Sequence, residues 1–223
     1  ENVFFSSSLD GSSQIHRSNR PSPYFDSYDT TIRGIKWIQE ELGTDRVSCL
    51  TTVTRDSLNE PQELVREYFN LGMESMFVRP LSPFGFASPL NKRIAYSPDE
   101  FFEFYVACLS EVIALNKSRC FVEESAAIHF RRIYRPGESG YVDLQRPSGD
   151  LLGAVVFNYD GNIFGSDEAR MLWESTNAPE LVLGNIWEEP QSIFSNKAAS
   201  SLLQGTFLFA QPGCDDCVYQ PYC

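Results

Sequence analysis

Residues 61–78 read PQELVREYFNLGMESMFV, a helical pattern followed by a glycine and a strand-like run. Pro61 suits the first turn of a helix, and Gly72 suits the position just beyond its end. The apolar residues between them recur at helical spacing, namely Leu64, Val65, Tyr68 and Leu71. Met76–Val78 then predicts a short strand.

The same succession occurs earlier in the chain. Asp26–Leu42 predicts a helix, Gly43 follows it, and Arg46–Val53 (RVSCLTTV) predicts a strand. A further strand is predicted from Asn2 to Leu9, where the Asp10-Gly11 turn follows. Strands that alternate with helices in this way predict an α/β fold with a parallel sheet. Three strands are too few to close a barrel, so this region predicts half of a larger architecture.

Polar residues follow each predicted strand. In parallel α/β folds the functional residues collect at the carboxyl ends of the strands. Those ends are Ser8–Gly11, Thr51–Arg55 and Arg79–Gly85. Two simpler interpretations stay open, because Asp10-Gly11 is equally typical of a plain turn and a strand-end arginine is often only a surface ion-pair partner.

The rest of the chain changes character twice. Residues 97–118 predict the clearest helix, because a capping-box pattern at Ser97-Pro98-Asp99-Glu100 precedes a wide apolar stripe. Arg131–Asp150 predicts a connecting loop. A short hairpin is predicted over residues 152–164, with a small helix from Asp167 to Trp173 after it and a turn at Leu183–Ile186. The predicted domains are therefore residues 1–95, 96–150 and 151–223.

Half of the six cysteines lie in the last ten residues, CDDCVYQPYC, with the spacing C-x2-C-x5-C. Two thiolates separated by two residues can hold one ion, as in zinc knuckles and iron–sulfur sites. Cys49 and Cys108 lie in apolar patterns that predict buried free thiols. In a reducing compartment the three terminal cysteines predict a metal or cluster site rather than disulfides.

Composition excludes several classes of function. The net charge is −12 with no basic cluster, so a nucleic-acid partner is not expected. No apolar run approaches the ~20 residues of a membrane span and no signal-peptide pattern is present, which predicts a cytoplasmic protein. The chain has two histidines, His16 and His129, which are far apart in sequence, so a catalytic or metal site built from several histidines is not expected. A loop hydrogen bond is the expected role of His16.

The order of these motifs resembles the radical S-adenosylmethionine (SAM) enzymes that carry a C-terminal SPASM or twitch extension. Ser8–Gly11 with His16 and Arg20 is similar to the fourth-strand segment of that family. Leu50–Gly72 is similar to its fifth strand and helix, and Met76–Gly85 to its sixth strand. The resemblance covers nearly the whole chain apart from the middle connection.

The tail is similar to the extension of that family. Asp160–Phe164, Asp167–Arg170, Leu183–Ile186 and the terminal cysteines follow one another in the family's order. The segments GSDEARML and CDDCVYQPYC look most like the corresponding segments in the maturases of His-Xaa-Ser repeat peptide systems. The implied fold is the later half of a partial (β/α)6 TIM-like barrel, followed by a small loop-rich SPASM/twitch cysteine module.

The resemblance also implies an activity and its partners. In this family a [4Fe–4S] cluster delivers one electron to SAM, and the 5′-deoxyadenosyl radical that forms removes a hydrogen atom from the substrate. The implied substrate is a ribosomally made peptide or protein. The implied reductant is a protein such as a flavodoxin or ferredoxin.

Roles for individual residues follow from the resemblance. Ser8 and Asp10 are expected to contact SAM, and Thr52 to bind its ribose. Arg20 and Arg79 are expected to bind the carboxylate of SAM or to form an ion pair nearby.

In the tail, Cys214, Cys217 and Cys223 are expected to hold an auxiliary [4Fe–4S] cluster, with zinc as the competing occupant. Asp167 is a candidate proton acceptor, although the N-cap of a helix would explain it equally well.

The chain departs from the family pattern in two places. The CxxxCxxC loop of the radical SAM cluster is absent from the sequence, and the resemblance places it upstream of Glu1, as if the chain were a fragment that is inactive alone. Gly165-Ser166 stands where many SPASM domains have a cysteine, so at most one auxiliary cluster is expected. Two alternatives stay open: a zinc-stabilised peptide-binding module without catalysis, and a metal-free hydrolase that uses Asp10 and Asp167.

Overall fold

The structure is a computed structural model that describes residues 3–82, 92–135 and 151–220. These residues form two compact units. The first comprises residues 3–82 and 92–127, and the second comprises residues 128–135 and 151–220. The boundary between the units falls inside the helix Glu124–Tyr134, within the segment that the sequence assigned to a middle connection.

A parallel sheet organises the first unit. Its strands follow one another in space in the order of the sequence: β1 (Phe5–Ser8), β2 (Val47–Thr52), β3 (Ser75–Arg79) and β4 (Val122–Glu123). All neighbouring pairs are parallel. The predicted parallel α/β sheet is therefore confirmed, and the carboxyl ends of its strands meet at one edge.

Helices connect these strands, and most of them begin at the residues that the sequence indicated. They are α1 (Ser13–Asn19), α2 (Ser27–Leu42), α3 (Pro61–Asn70), α4 (Pro98–Leu115) and α5 (Glu124–Tyr134). Asp26 caps α2 by accepting a hydrogen bond from the backbone N–H of Asp29. The predicted capping box at the start of α4 is confirmed, because Ser97 and Glu100 satisfy each other's backbone N–H groups. The sequence pattern did not indicate α1.

The apolar faces of α2, α3 and α4 and the sheet form one hydrophobic core. Tyr68 and Val65 of α3 are fully buried, as the helical spacing predicts. Cys49 and Cys108 are buried free thiols, which confirms the prediction, and burial raises the pKa of each to about 12. Both thiols therefore stay protonated and belong to the core rather than to a metal site.

The fourth strand was missed by the sequence analysis, and the reason is chemical. β4 is only two residues long and includes Glu123, whose charge argues against a buried strand. The Glu123 side chain is nevertheless buried, because its carboxylate accepts hydrogen bonds from the backbone N–H of Val78 (3.1 Å), the backbone N–H of Ala126 (2.7 Å) and the hydroxyl of Tyr105. Beyond β4, α5 runs to Tyr134, so the predicted connecting loop begins later than expected.

The second unit is built on a small antiparallel sheet. Its strands are β5 (Val156–Phe157), β6 (Asn162–Phe164) and β7 (Gly184–Asn185). The predicted hairpin is present with a shorter first strand, whereas the predicted turn at Leu183–Ile186 contains β7. The described residues of this unit also form α6 (Asp167–Thr176), α7 (Pro190–Ser195) and α8 (Lys197–Gly205). Its hydrophobic core is small and consists of Ile163, Leu183, Ile193 and Ala199.

Among the residues that the structure describes, no helix combines the length and the apolar character needed to span a bilayer.

Replacing Glu123 with alanine should lower the free energy of unfolding by about 3 kcal/mol, because two buried backbone N–H groups lose their acceptor. Glu123→Gln keeps an acceptor oxygen and should recover part of that loss. Urea unfolding followed by circular dichroism measures both values. Glu103→Ala on the exposed side of α4 is the control and should change little. Equal losses for Glu103→Ala and Glu123→Ala would contradict this account of β4.

Candidate functional site

The carboxyl ends of β1, β2 and β3 lie side by side. Backbone hydrogen bonds continue the sheet past the last strand residues, from Leu9 N–H to the carbonyl of Leu50 (3.0 Å) and from Val53 N–H to the carbonyl of Arg79 (3.0 Å). Thr52 is directly opposite Arg79 in the register of β2 and β3. Ser8, Thr52 and Arg79 therefore end neighbouring strands at the same edge, as the sequence predicted, and all three are half-buried.

Asp10 is the centre of this edge. Its side chain is 1% exposed, and its carboxylate accepts hydrogen bonds from the backbone N–H of Thr52 (3.1 Å) and from Arg20 Nε (2.7 Å) and Nη2 (3.3 Å). A buried carboxylate needs such charge-assisted partners, because leaving it unpaired is costly. Asp10 consequently connects the end of β1, the end of β2 and the residue that caps α1, and it is more than a turn residue.

His16 holds the same loop from the other side. Its ring Nδ1 accepts a hydrogen bond from the backbone N–H of Asp10 at 3.2 Å, which confirms the expected loop hydrogen bond. Nδ1 must be unprotonated to accept, so the proton of the neutral ring is on Nε2. Burial lowers the pKa of His16 from its ordinary value, and Arg20 lowers it further, whereas Asp10 raises it. A neutral imidazole at this position keeps the acceptor available.

Two polar contacts next to this edge were not singled out by the sequence analysis. Ser12 Oγ donates to Glu60 Oε2 at 2.7 Å, and Thr54 Oγ1 donates to Asn19 Oδ1 at 3.2 Å. Both contacts tie α1 to the segment that follows β2. Their sequence signal is weak, since serine, threonine and asparagine after a strand are common in loops of every kind.

The donor groups at the edge suit a small polar ligand. Ser8 and Thr52 each supply a hydroxyl, which can donate and accept hydrogen bonds, and Arg79 supplies a guanidinium that matches a carboxylate. Arg20 is engaged with Asp10, so it takes the ion-pair role that the sequence analysis left open. The described edge therefore presents hydroxyl and guanidinium groups beside the ion pair of Asp10 and Arg20.

Asp167 lies in the second unit and is exposed at the first residue of α6. Its Oδ1 is 2.8 Å from both Nε and Nη2 of Arg170. The helix is capped by Ser166, whose Oγ accepts from the backbone N–H of Ala169 at 3.2 Å, so the interpretation of Asp167 as the N-cap is wrong. Asp10 and Asp167 each form an ion pair with an arginine of their own unit.

Two of the three terminal cysteines lie in the described part of the chain. Cys214 and Cys217 are half-buried and free, and the backbone N–H of Cys217 donates to the carbonyl of Cys214 at 3.3 Å, so one tight turn carries both thiols. Cys223 lies outside the described residues. Within those residues no group of three histidine, cysteine or acidic side chains is arranged to hold a metal ion.

No family model and no curated protein matches the chain. Solved structures match it along its length. A structure of anSMEcpe, an anaerobic sulfatase-maturating enzyme of the radical SAM/SPASM type, with bound AdoMet and the Kp18Cys peptide is 15% identical, with a TM-score of 0.73 over 100% of this chain and 59% of that chain. The same enzyme with AdoMet and the Cp18Cys peptide is 17% identical, with a TM-score of 0.74 over the same shares.

A third structure of that enzyme, with AdoMet alone, has a TM-score of 0.70 at 17% identity and covers 99% of this chain and 58% of that chain. At these identities the comparisons show the fold. The chain therefore shares the fold of the part of anSMEcpe that it covers, and it spans less than two thirds of that enzyme's length.

Replacing Asp10 with alanine should lower the free energy of unfolding by about 3 kcal/mol, because the Arg20 guanidinium and the buried N–H of Thr52 lose their shared acceptor. Chemical denaturation of Asp10→Ala and Asp10→Asn measures the loss, and asparagine should retain part of the stability. Arg66→Ala breaks an ion pair of similar length (2.8 Å to Glu111) in which the arginine is exposed, so it serves as the control and should change little. A loss for Asp10→Ala no larger than for Arg66→Ala would show that Asp10 does not hold the strand ends together.

Proposed function

We propose that the chain is part of a radical SAM enzyme that modifies a peptide, with SAM bound at the carboxyl ends of β1, β2 and β3. One observation carries the proposal: the buried carboxylate of Asp10, paired with Arg20 and with the backbone N–H of Thr52, lies at the strand ends that also carry Ser8 and Arg79. The fold around it is similar to that of the AdoMet-bound anSMEcpe over the whole chain. Functional residues in parallel α/β folds lie at this edge.

The proposed SAM contacts follow from the donor set. The hydroxyls of Ser8 and Thr52 suit the ribose diol, and Arg79 suits the methionine carboxylate. Within the described part of the chain, Asp10 Oδ2 accepts one hydrogen bond, from Arg20 Nε, and a carboxylate oxygen can accept a second from a donor such as a ribose hydroxyl. Arg20 supports the site through its ion pair with Asp10.

The radical SAM [4Fe–4S] cluster, when bound, supplies the electron that cleaves SAM, and its CxxxCxxC ligands are not in this sequence. The proposed task of this chain is to bind SAM, orient it and exclude water. Asp167, ion-paired with Arg170 at the start of α6, is the proposed proton acceptor for the substrate. Its exposure at the start of that helix supports this role.

The terminal cysteines are the proposed ligands of an auxiliary [4Fe–4S] cluster in the SPASM/twitch module of residues 151–223. Cys214 and Cys217 fit such a site because both are free, half-buried thiols on one turn, and soft thiolates select iron–sulfur clusters or zinc. Cys223 is the proposed third ligand. A bound cluster would also compensate for the small core of this unit.

Within this class we propose the narrower assignment to the maturases of His-Xaa-Ser repeat peptide systems. This assignment is supported by the amino-acid sequence of residues 165–172 and 214–223. The proposed partners are a ribosomally made peptide or protein as substrate and a flavodoxin or ferredoxin as reductant. A reducing cytoplasm is the proposed location, since the described cysteines are free.

When the protein is purified without oxygen and reconstituted with iron and sulfide, we expect bound iron, acid-labile sulfide and broad thiolate-to-iron absorption. Cys214→Ala and Cys217→Ala should each remove most of these three signals, because a cluster that loses a thiolate ligand is released. Cys120→Ala is the matched control, since Cys120 is a free, exposed cysteine of the first unit, and it should leave the signals unchanged. A colourless protein that holds zinc without sulfide would instead support the peptide-binding module.

Thr52→Val should weaken AdoMet binding about tenfold, because it removes a hydroxyl at the strand ends while keeping the shape of the side chain. Equilibrium dialysis with radiolabelled AdoMet measures the dissociation constant without requiring turnover. Ser48→Ala, an exposed position nearer the start of the same strand, is the control and should bind AdoMet normally. An unchanged affinity for AdoMet in both Thr52→Val and Ser8→Ala would contradict the proposed SAM site.

A further inference from the structure

Two turns of the second unit repeat one short pattern, an aromatic residue followed by an acidic one. Tyr159-Asp160 precedes β6, and Trp187-Glu188 follows β7. Tyr159 is 93% exposed and Trp187 is 87% exposed, the latter the most exposed tryptophan in the chain. Large aromatic side chains contribute little to folding when they are this exposed, and exposed apolar groups that cluster mark interaction surfaces.

The two turns are held next to each other by the backbone. β6 pairs with β7 with Asn162 opposite Asn185, and one position further the backbone N–H of Ile186 donates to the carbonyl of Gly161 at 2.9 Å. The side chain of Asn185 also donates to Asn162 Oδ1 at 3.2 Å. Tyr159 and Trp187 are therefore carried by neighbouring, interlocked turns.

Gly161 makes this close approach possible. Its φ of +86° is in the left-handed region, and a Cβ atom at this position would lie 3.1 Å from the Asn185 side chain. Any other residue would strain the turn or push the second turn away. The close approach of the two turns that carry Tyr159 and Trp187 is thus a specific feature of this hairpin.

The surroundings of the two turns are strongly acidic. Residues 151–196 contain seven carboxylate side chains and one arginine, a net charge of −6. That arginine, Arg170, is already paired with Asp167 and Glu174. Asp160, Glu188 and Glu189 are exposed within the turns themselves. Asp160 accepts hydrogen bonds from Asn162, and Glu188 accepts one from the backbone N–H of Asn185.

We propose that Tyr159, Trp187 and the carboxylates of Asp160, Glu188 and Glu189 form a docking surface for a lysine- or arginine-bearing segment of a peptide. The faces of aromatic rings attract cations, and flanking carboxylates add charge complementarity. A second copy of the chain does not fit, since pairing the same surfaces would bring their carboxylates together. The identification of that segment with the substrate peptide rests on the proposed function, whereas the surface itself does not.

Fluorescence anisotropy of a labelled Gly/Ser peptide that carries several lysines tests this surface on the full chain at low salt. Trp187→Ala and the double variant Glu188→Gln/Glu189→Gln should each weaken binding about tenfold, and added salt should weaken binding to the unaltered protein. Glutamine keeps the acceptor that Glu188 presents to Asn185, so the turn stays intact. Trp37→Ala, at an exposed tryptophan of α2, is the matched control and should bind normally.

Three results would overturn the proposal: equal binding of a peptide with glutamine in place of lysine, unchanged binding by Trp187→Ala, or a dimer of the unaltered chain that Trp187→Ala dissolves. Circular dichroism of each variant confirms that it is folded. The assay needs neither iron nor SAM, so its outcome is independent of the proposed enzyme. If the protein binds the lysine peptide but holds neither a cluster nor AdoMet, the proposed docking surface stands and the proposed maturase function is wrong.

Discussion

The buried carboxylate of Asp10 is the constraint on which the first unit's functional edge depends. Its charge has been removed from water, so it is tolerated only because Arg20 and the backbone N–H of Thr52 satisfy it. Those partners come from the end of α1 and from β2, and the neutral ring of His16 holds the backbone of Asp10 itself. One side chain thereby fixes where two strands end relative to a helix.

Glu123, in the last strand of the sheet, is a second buried carboxylate that is satisfied by long-range hydrogen bonds. It follows Val122 in β4 and accepts hydrogen bonds from backbone groups of β3 and α5, while Tyr105 donates from α4. Burial and the neighbouring carboxylate raise the pKa of Tyr105 far above its ordinary value, so its hydroxyl remains a donor. In both places a buried acid joins elements that are distant in sequence.

The second unit is organised differently. Its apolar core is small, and its features are local: the two interlocked turns around Gly161, the capped start of α6 and the tight turn of Cys214 and Cys217. A unit with so little buried apolar surface gains from a bound group or partner that adds contacts. Its exposed aromatic residues and its acidic charge are consistent with such dependence.

Short-range patterns in the sequence determined most of the helices and strands. The spacing of Leu64, Val65 and Tyr68 predicted the buried face of α3, and Ser97 with Glu100 predicted the start of α4, because periodicity and capping act within a few residues. The polar residues at the strand ends were also visible in this way. The order of motifs, rather than any one of them, indicated the fold.

Only the tertiary structure decided what those polar residues do. The partners of Asp10 are 10 and 42 residues away, so no local pattern separates a turn from a buried ion pair. The same holds for Glu123, whose backbone partner Val78 is 45 residues away and makes a charged residue acceptable in a buried strand. Burial and long-range hydrogen bonding assign a role to a charged side chain, and both exist only after the chain has folded.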